Sequence, residues 1–228
     1  MGSVSFGAPR EIIEKVRATF QVSTFVETGT YRGDTAAWAS ERFDRVLTIE
    51  GSPEFQRQAQ ERHAQRGNIE FLLGDSRSML REVLSRLGST PALFWLDAHW
   101  MPGSFGKAQE CPLLEEIEAI YQSPAEHFIL IDDARLFLAP PPLPHRASDW
   151  PDISTVLTAL GSTGRPANYT VVYNDVIISL PGFARETMRI FYQEQITAAP
   201  GVNSQPVNLS RNILRGIKRR LRGAIGYS

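Results

Sequence analysis

Five short apolar segments, each ending in a carboxylate and each followed by a helix-like stretch, constrain this chain more than any other feature of its sequence. FVE ends at Glu27, RVLTIE at Glu50, NIEFLLGD at Asp75, PALFWLD at Asp97 and HFILIDD at the pair Asp132 and Asp133. Short apolar runs bounded by turn residues fit strands buried on both faces, and helical stretches between them give a mainly parallel α/β sheet. In an open sheet of this kind, ligands bind outside the carboxyl ends of the strands. Isolated acids at strand ends are common, but one at every carboxyl end in succession is not. The pattern therefore marks both the fold and the edge of the sheet where chemistry is expected.

The first unit carries the most detail. TFVETGTYRGDT (24–35) runs from a short strand through Glu27 into a turn with Gly29 and Gly33, then into the amphipathic TAAWASERF. Strand, glycine turn and helix in that order bring backbone close to a ligand. The spacing E-x-G-x-x-x-G differs from the G-x-G-x-x-G of dinucleotide binders. A carboxylate in its first position repels a pyrophosphate and suits a cationic or amine-bearing ligand. Glu50 ends the second strand about 23 residues further on, where an acid accepts hydrogen bonds from ribose hydroxyls. A solvated strand-end Glu would look the same in isolation.

Around these strands, residues 9–20 place Ile12, Ile13, Val16 and Phe20 on one helical face. Helices are also expected over 34–43, 53–66, 78–87, CPLLEEIEAIYQ and 152–160. On the second of these, His63 lies among charges and reads as a solvated surface residue; Met79 reads as core. The segment MPGSFGKAQE has the glycine content of a loop over a site, and the proline run 139–144 stops regular structure. NYTVVYNDVIISLP reads as two strands joined at 173–175, an antiparallel hairpin closing the sheet. The expected organisation is an N-terminal helix (1–20), an α/β domain (21–182) and a C-terminal extension (183–228) that opens with a helix over 183–192.

The formal charge of −1 conceals an asymmetry. Residues 195–228 hold six bases (Arg211, Arg215, Lys218, Arg219, Arg220, Arg222) and no acid, which leaves −7 on the remainder. An acidic body disfavours nucleic acid as a partner. In residues 210–226, Ile213, Leu214, Ile217, Leu221 and Ile225 share a helical face with bases around it, a pattern that suits an anionic membrane surface or a protein partner, and equally packing on the chain's own domain or on a second copy. One cysteine, Cys111, excludes an intrachain disulfide framework and fits a reducing compartment such as the cytoplasm; it reads as a buried thiol. No apolar run approaches the ~20 residues that span a bilayer, and the N-terminus lacks a signal-peptide core.

On the residues of the first unit, the chain resembles the class I S-adenosylmethionine-dependent methyltransferases over about residues 20–181. The resemblance implies a Rossmann-like seven-stranded, mainly parallel sheet with an antiparallel C-terminal edge hairpin and helices on both faces. It also implies S-adenosylmethionine as cofactor, with Glu27, Gly29, Thr30 and Gly33 around its methionine part, Glu50 at the ribose, and Asp75 and Ser76 at the adenine.

The remaining acids, Asp97, Asp132 and Asp133, converge from the fourth and fifth strands, and like charges so close need compensation. A hard divalent cation such as Mg²⁺ would supply it; alternatively Asp132 or Asp133 caps a turn. One Asp after strand four and an acidic pair after strand five resembles the metal-dependent O-methyltransferases acting on small molecules or sugars. That resemblance implies Asp97, Asp132 and Asp133 as metal ligands and an acceptor hydroxyl activated by the metal. His99, two residues beyond Asp97, stands where the sugar-modifying branch carries an acid; imidazole can take the same general-base role, or it can simply orient Asp97. Trp100 and Trp150 are candidates to wall the acceptor site. Two other readings stand beside this one. Phosphate or nucleotide-sugar chemistry at the acid cluster would call on cations such as Arg32 and Lys107, and a non-catalytic adaptor would act through the basic tail.

Overall fold

The strand at the centre of the sheet, β1 (Thr24–Thr28), is buried at all five of its residues and pairs in parallel with β2 (Arg45–Glu50) on one side and β4 (Leu93–Leu96) on the other. The computed structural model describes residues 7–100, 110–161 and 168–198. β3 (Ile69–Leu73) extends the sheet beyond β2, and β5 (Phe128–Ile131) beyond β4, both in parallel. β7 (Val176–Leu180) then runs antiparallel to β5, with β6 (Tyr169–Tyr173) antiparallel at the edge, giving the order β3-β2-β1-β4-β5-β7-β6. Strand order reverses between β1 and β4, so the crevice outside their carboxyl ends is the place where such a sheet binds ligands. Glu27 in β1 lies between Thr48 and Trp95.

The apolar runs follow from burial on two faces. Val26, Leu47, Ile49, Phe94, Leu96, Ile129, Ile131 and Ile177 join a core with Leu80, Val83 and Leu84 of α4 (Ser76–Leu87), Ile117 and Ile120 of α5 (Leu113–Gln122) and Val156 and Leu160 of α7 (Ile153–Gly161). Alternate residues point to the other face, where Phe25 packs on Phe43 with ring centroids 5.3 Å apart. Burying each such side chain contributes about 1.5–3 kcal/mol. In α1 (Arg10–Phe20), Ile12, Ile13 and Val16 are buried as expected, and Phe20 stacks on Phe128. The compact units of the chain are 1–185 and 186–228, with α1 in the first. α8 (Arg185–Ala198) starts two residues later and runs longer than expected.

Three helix boundaries differ from the sequence reading for local reasons. α2 (Asp34–Ser40) stops short of Phe43 because the amide side chain of Asn68 donates to the carbonyls of Ser40 (2.8 Å) and Phe43 (3.0 Å), holding the turn into β2. α3 (Pro53–Arg62) is capped by Ser52, whose hydroxyl accepts from the Phe55 amide, and it ends before Arg66. There His63, expected to be solvated, is instead turned inward: it is buried, with Nε2 3.2 Å from the carbonyl oxygen of Arg32. α4 begins at Ser76 rather than Ser78 because Asp75 caps it, accepting from the Arg77 amide at 2.9 Å. The loop segment 101–109 with Lys107, and the basic stretch 210–226, lie outside the described residues.

Candidate active site

At the end of β1 the chain turns through Gly29 (φ 85°), whose amide, with that of Thr30, reaches the carbonyl of Ile49. A Cβ at Gly29 would stand 2.2 Å from the backbone oxygen of Asp97. Glycine is therefore required for the β1 and β4 loops to meet across the switch point. Gly33 (φ 74°) starts α2 in the same left-handed region, and a Cβ there would fall 2.9 Å from the His63 ring. The buried histidine is thus a floor for the glycine turn. Between the glycines, Tyr31 adopts φ 47°, and its amide donates to Glu50 Oε2 at 2.8 Å. The amide of Ser52 donates to Glu50 Oε1 at 2.9 Å. Glu50 thereby ties the β1 and β2 loops together while each oxygen keeps a lone pair for a ligand hydroxyl.

Glu27 lies beneath this turn, 2 % exposed. Thr48 donates to it at 2.6 Å, and Thr30 meets the Thr48 hydroxyl at 2.6 Å. Burial, reinforced by the charges of Asp97 and Glu50, pushes its pKa up to about 8 despite the hydrogen bond from Thr48. A cationic group arriving here would recover the charged form. Asp75 is a different kind of residue: beyond capping α4, it pairs with the Arg77 guanidinium (2.5 Å to Oδ2), which holds its carboxyl below the usual range.

The second group assembles at β4 and β5. His99 Nε2 lies 2.9 Å from Asp133 Oδ2, and its Nδ1 lies 3.5 Å from Asp97 Oδ1. Arg135, on the short helix α6 (Arg135–Leu138), pairs with Asp133 Oδ1 at 2.6 Å and also with Asp175 in the β6–β7 turn. The Asp175 carbonyl accepts from the Ala134 amide (2.8 Å) and its carboxylate from the Arg135 amide (2.8 Å), so the hairpin turn is fastened to the site. Asp133 takes φ 55° and donates its amide to Asp132 Oδ1. Burial pushes Asp97 up to about 8, with Asp132 and Asp133 adding to the shift, and pushes Asp132 up to about 7, with Asp133 adding. Burial also opposes charging of His99, but the hydrogen bond to Asp133 and the surrounding carboxylates outweigh it and raise its pKa.

Both tryptophans singled out from the sequence are buried. Trp150 lies 5.5 Å from the His99 ring and donates its indole N–H to Glu110 at 2.9 Å; Trp100 packs on His145. Cys111 is buried, and burial pushes its thiol up to about 12, so it is a packing residue.

Four residues of this region escaped the sequence reading. Glu110 is buried and accepts from Trp150, from the Arg146 amide (3.0 Å) and across to His145 Nδ1 (3.2 Å), joining the start of α5 to the 145–150 loop. Arg135 and Asp175 are brought together only by the hairpin. Glu116 lies on the apolar stripe of α5 with Leu113, Ile117 and Ile120 and is 1 % exposed. A charged residue inside an apolar helical stripe is a signal that was legible in the sequence. Burial pushes Glu116 up to about 7 against hydrogen bonds from Ser76 and Thr28.

Among the described residues, no three carboxylate, imidazole or thiol groups are arranged to hold a metal ion. Asp133 instead faces the His99 imidazole through Oδ2 and the Arg135 guanidinium through Oδ1. The β1–β2 loops bring together a buried carboxyl at Glu27, a close backbone turn at Gly29 and an acid at the end of β2, Glu50, a set that suits a ligand with a cationic end and hydroxyl donors.

No protein-family model matches the chain, and no curated protein matches it by sequence. Solved structures do. The O-methyltransferase from Bacillus cereus in complex with SAH is similar with a TM-score of 0.54 at 14% identity, covering 76% of this chain and 82% of that one. Cofactor-bound Rv0187 from MTB is similar with a TM-score of 0.52 at 16% identity, over 78% of this chain and 81% of that one. Strand order, switch point and these likenesses agree: this chain has the fold of the class I S-adenosylmethionine-dependent methyltransferases.

Proposed function

We propose that this protein is an S-adenosylmethionine-dependent O-methyltransferase acting on a hydroxyl of a small molecule or sugar. The observation that carries the reading is the position of His99. An imidazole held between Asp97 and Asp133 stands one strand across the switch point from a glycine turn and a ribose-type acid. S-adenosylmethionine, when bound, supplies a methyl group on a sulfonium. Glu27 faces its ammonium end, the Gly29 turn allows close backbone approach, and Glu50 receives the ribose hydroxyls. Asp133 fixes His99 through Nε2–H, which leaves Nδ1 to take the proton of the acceptor hydroxyl. Aligning that oxygen with the methyl carbon is the protein's main contribution, and no covalent enzyme intermediate is needed. Divalent-metal assistance, expected from the sequence, finds no support in the donor set around Asp133, and no step here depends on it.

Calorimetric titration with S-adenosylmethionine tests the reading. The wild type is expected to bind, and Glu50→Ala is expected to weaken binding by roughly 100-fold, because two backbone donors lose their acceptor as well as the ligand losing its own. The absence of any binding heat in the wild type would overturn the proposal. Methyl transfer to hydroxyl acceptors in the presence of a chelator then separates the reaction from its expected metal.

A further inference from the structure

His99 is held firmly at one nitrogen only. Its Nε2 lies 2.9 Å from Asp133 Oδ2, whereas Nδ1 is 3.5 Å from Asp97 Oδ1, too long for a firm restraint. A ring fixed at one nitrogen can pivot about that contact and swing the other nitrogen away from an acceptor hydroxyl. Packing on the ring has to supply the missing restraint, and Trp150 supplies it with ring centroids 5.5 Å apart, a favourable aromatic separation. Trp150 has no regular element of its own, since it follows the short 3-10 turn Ala147–Asp149 and precedes α7. It is held by Phe137 (5.7 Å), by His145 (5.2 Å) and by the bond from its indole N–H to Glu110 Oε2 (2.9 Å).

Glu110 is 1 % exposed, and the Arg146 amide and His145 Nδ1 meet the same Oε2. Three polar groups of residues 145–150 thus converge on one carboxylate oxygen. The main-chain carbonyl of Glu110 in turn accepts from the amide of Trp100, the residue next to His99, at 2.7 Å, and the Trp100 ring packs on His145 at 5.6 Å. Glu110 therefore grips the surroundings of His99 from two directions, through the backbone at Trp100 and through the ring of Trp150.

We propose that Glu110 is a positioning residue for the general base: by holding Trp150 and Trp100 it stops the His99 imidazole from pivoting and so aims Nδ1. The role given to His99 rests on the methyltransferase reading. What Glu110 contributes is reach rather than charge, because the Trp150 indole and the Arg146 amide are neutral donors that an uncharged oxygen in the same place would also satisfy.

The test follows the imidazole signals of the four histidines by NMR in the full-length protein labelled with ¹⁵N-histidine, with His99→Asn assigning the one of interest. Glu110→Asp keeps the charge and withdraws the oxygen by one methylene; Glu110→Gln keeps the reach and removes the charge. The Asp variant is expected to displace the His99 ring signals toward those of an imidazole free of neighbouring rings, while the Gln variant keeps them near wild type. His63 and His127, which lie elsewhere in the fold, stay in place in both. Single-turnover methyl transfer to the hydroxyl acceptor that the wild type methylates fastest should be roughly 10- to 100-fold slower in Glu110→Asp, with S-adenosylmethionine affinity unchanged within a few-fold. In a His99→Asn background the same substitution should cost little further, because the base it aims is gone.

Wild-type His99 signals in Glu110→Asp would overturn the assignment. So would equal displacement in both variants, a shift of His63 and His127 as large as that of His99, or the full rate loss recurring in the His99→Asn background. If no hydroxyl acceptor is methylated, the methyltransferase reading itself fails, and the histidine signals still decide whether Glu110 sets the imidazole.

Discussion

The carboxyl ends of β1–β3 and of β4–β5 carry the same kind of residue, yet the two halves of the site balance their charge in opposite ways. On the β1–β3 side each acid has its own neutral or local partner. Two backbone amides serve Glu50, Thr48 serves Glu27, and the adjacent Arg77 serves Asp75. On the β4–β5 side Asp97 and Asp133 share one imidazole, His99, Asp132 accepts from the Asp133 amide, and Asp133 shares Arg135 with Asp175. The first half is therefore a set of separately satisfied acceptors, suited to holding a ligand in place. The second is one coupled cluster in which moving a proton on one member changes all the others, and that suits acid–base work.

The largest expected break in this comparison is His99→Asn. Loss of the imidazole should lower the rate of methyl transfer by roughly 10²–10⁴-fold and leave S-adenosylmethionine binding within a few-fold of wild type. Single-turnover kinetics beside calorimetry measures both, and a parallel loss of cofactor affinity would show that the halves are not separable. Gly29→Ala attacks the seam between them. Its Cβ would meet the Asp97 carbonyl at 2.2 Å from a left-handed backbone, so a loss of roughly 2–4 kcal/mol is expected in urea unfolding, with both cofactor binding and turnover impaired.

The effect confined to one half and to one pH range concerns Glu27. Its folded pKa, about 8, lies above the ordinary 4.5, chiefly through burial. Between those values the folded state holds a proton that the unfolded state has released. Stability from this group is thus present at low pH and lost as pH rises through about 8. Glu27→Gln should remove that loss, gaining roughly 3 kcal/mol relative to wild type between pH 5 and pH 8 in the ligand-free protein, while weakening cofactor binding. Parallel wild-type and variant stability curves across this range would mean that Glu27 is charged in the empty site.

The difference between the halves also explains what was legible in the residues alone. TFVETGTYRGDT showed the strand, the left-handed glycines and the acid beneath them because all of these lie within one loop. Glu50 was placed by its distance along one β-α-β unit. His63 was misread because nothing near it in sequence announces that its ring supports Gly33, 30 positions away. Asp133 reads as a metal ligand in the sequence because three carboxylates converge there; its partner Arg135, tied in turn to Asp175 40 residues further on, is not visible as a partner in the residues alone. Glu116 was passed over as part of a helix, although its place in an apolar stripe was visible.

The sequence by itself determined the alternation of strands and helices, the mainly parallel sheet with its closing hairpin, and the edge along which every carboxylate would lie. Periodicity, turn residues and strand-end acids are properties of neighbouring positions, and backbone geometry converts them directly into faces and ends. Only the tertiary structure decided which acid is buried, which is capped, which is paired with a guanidinium and which has an oxygen to spare. Those states depend on burial and on charges contributed by segments far apart in the chain, and both exist only once the sheet has closed.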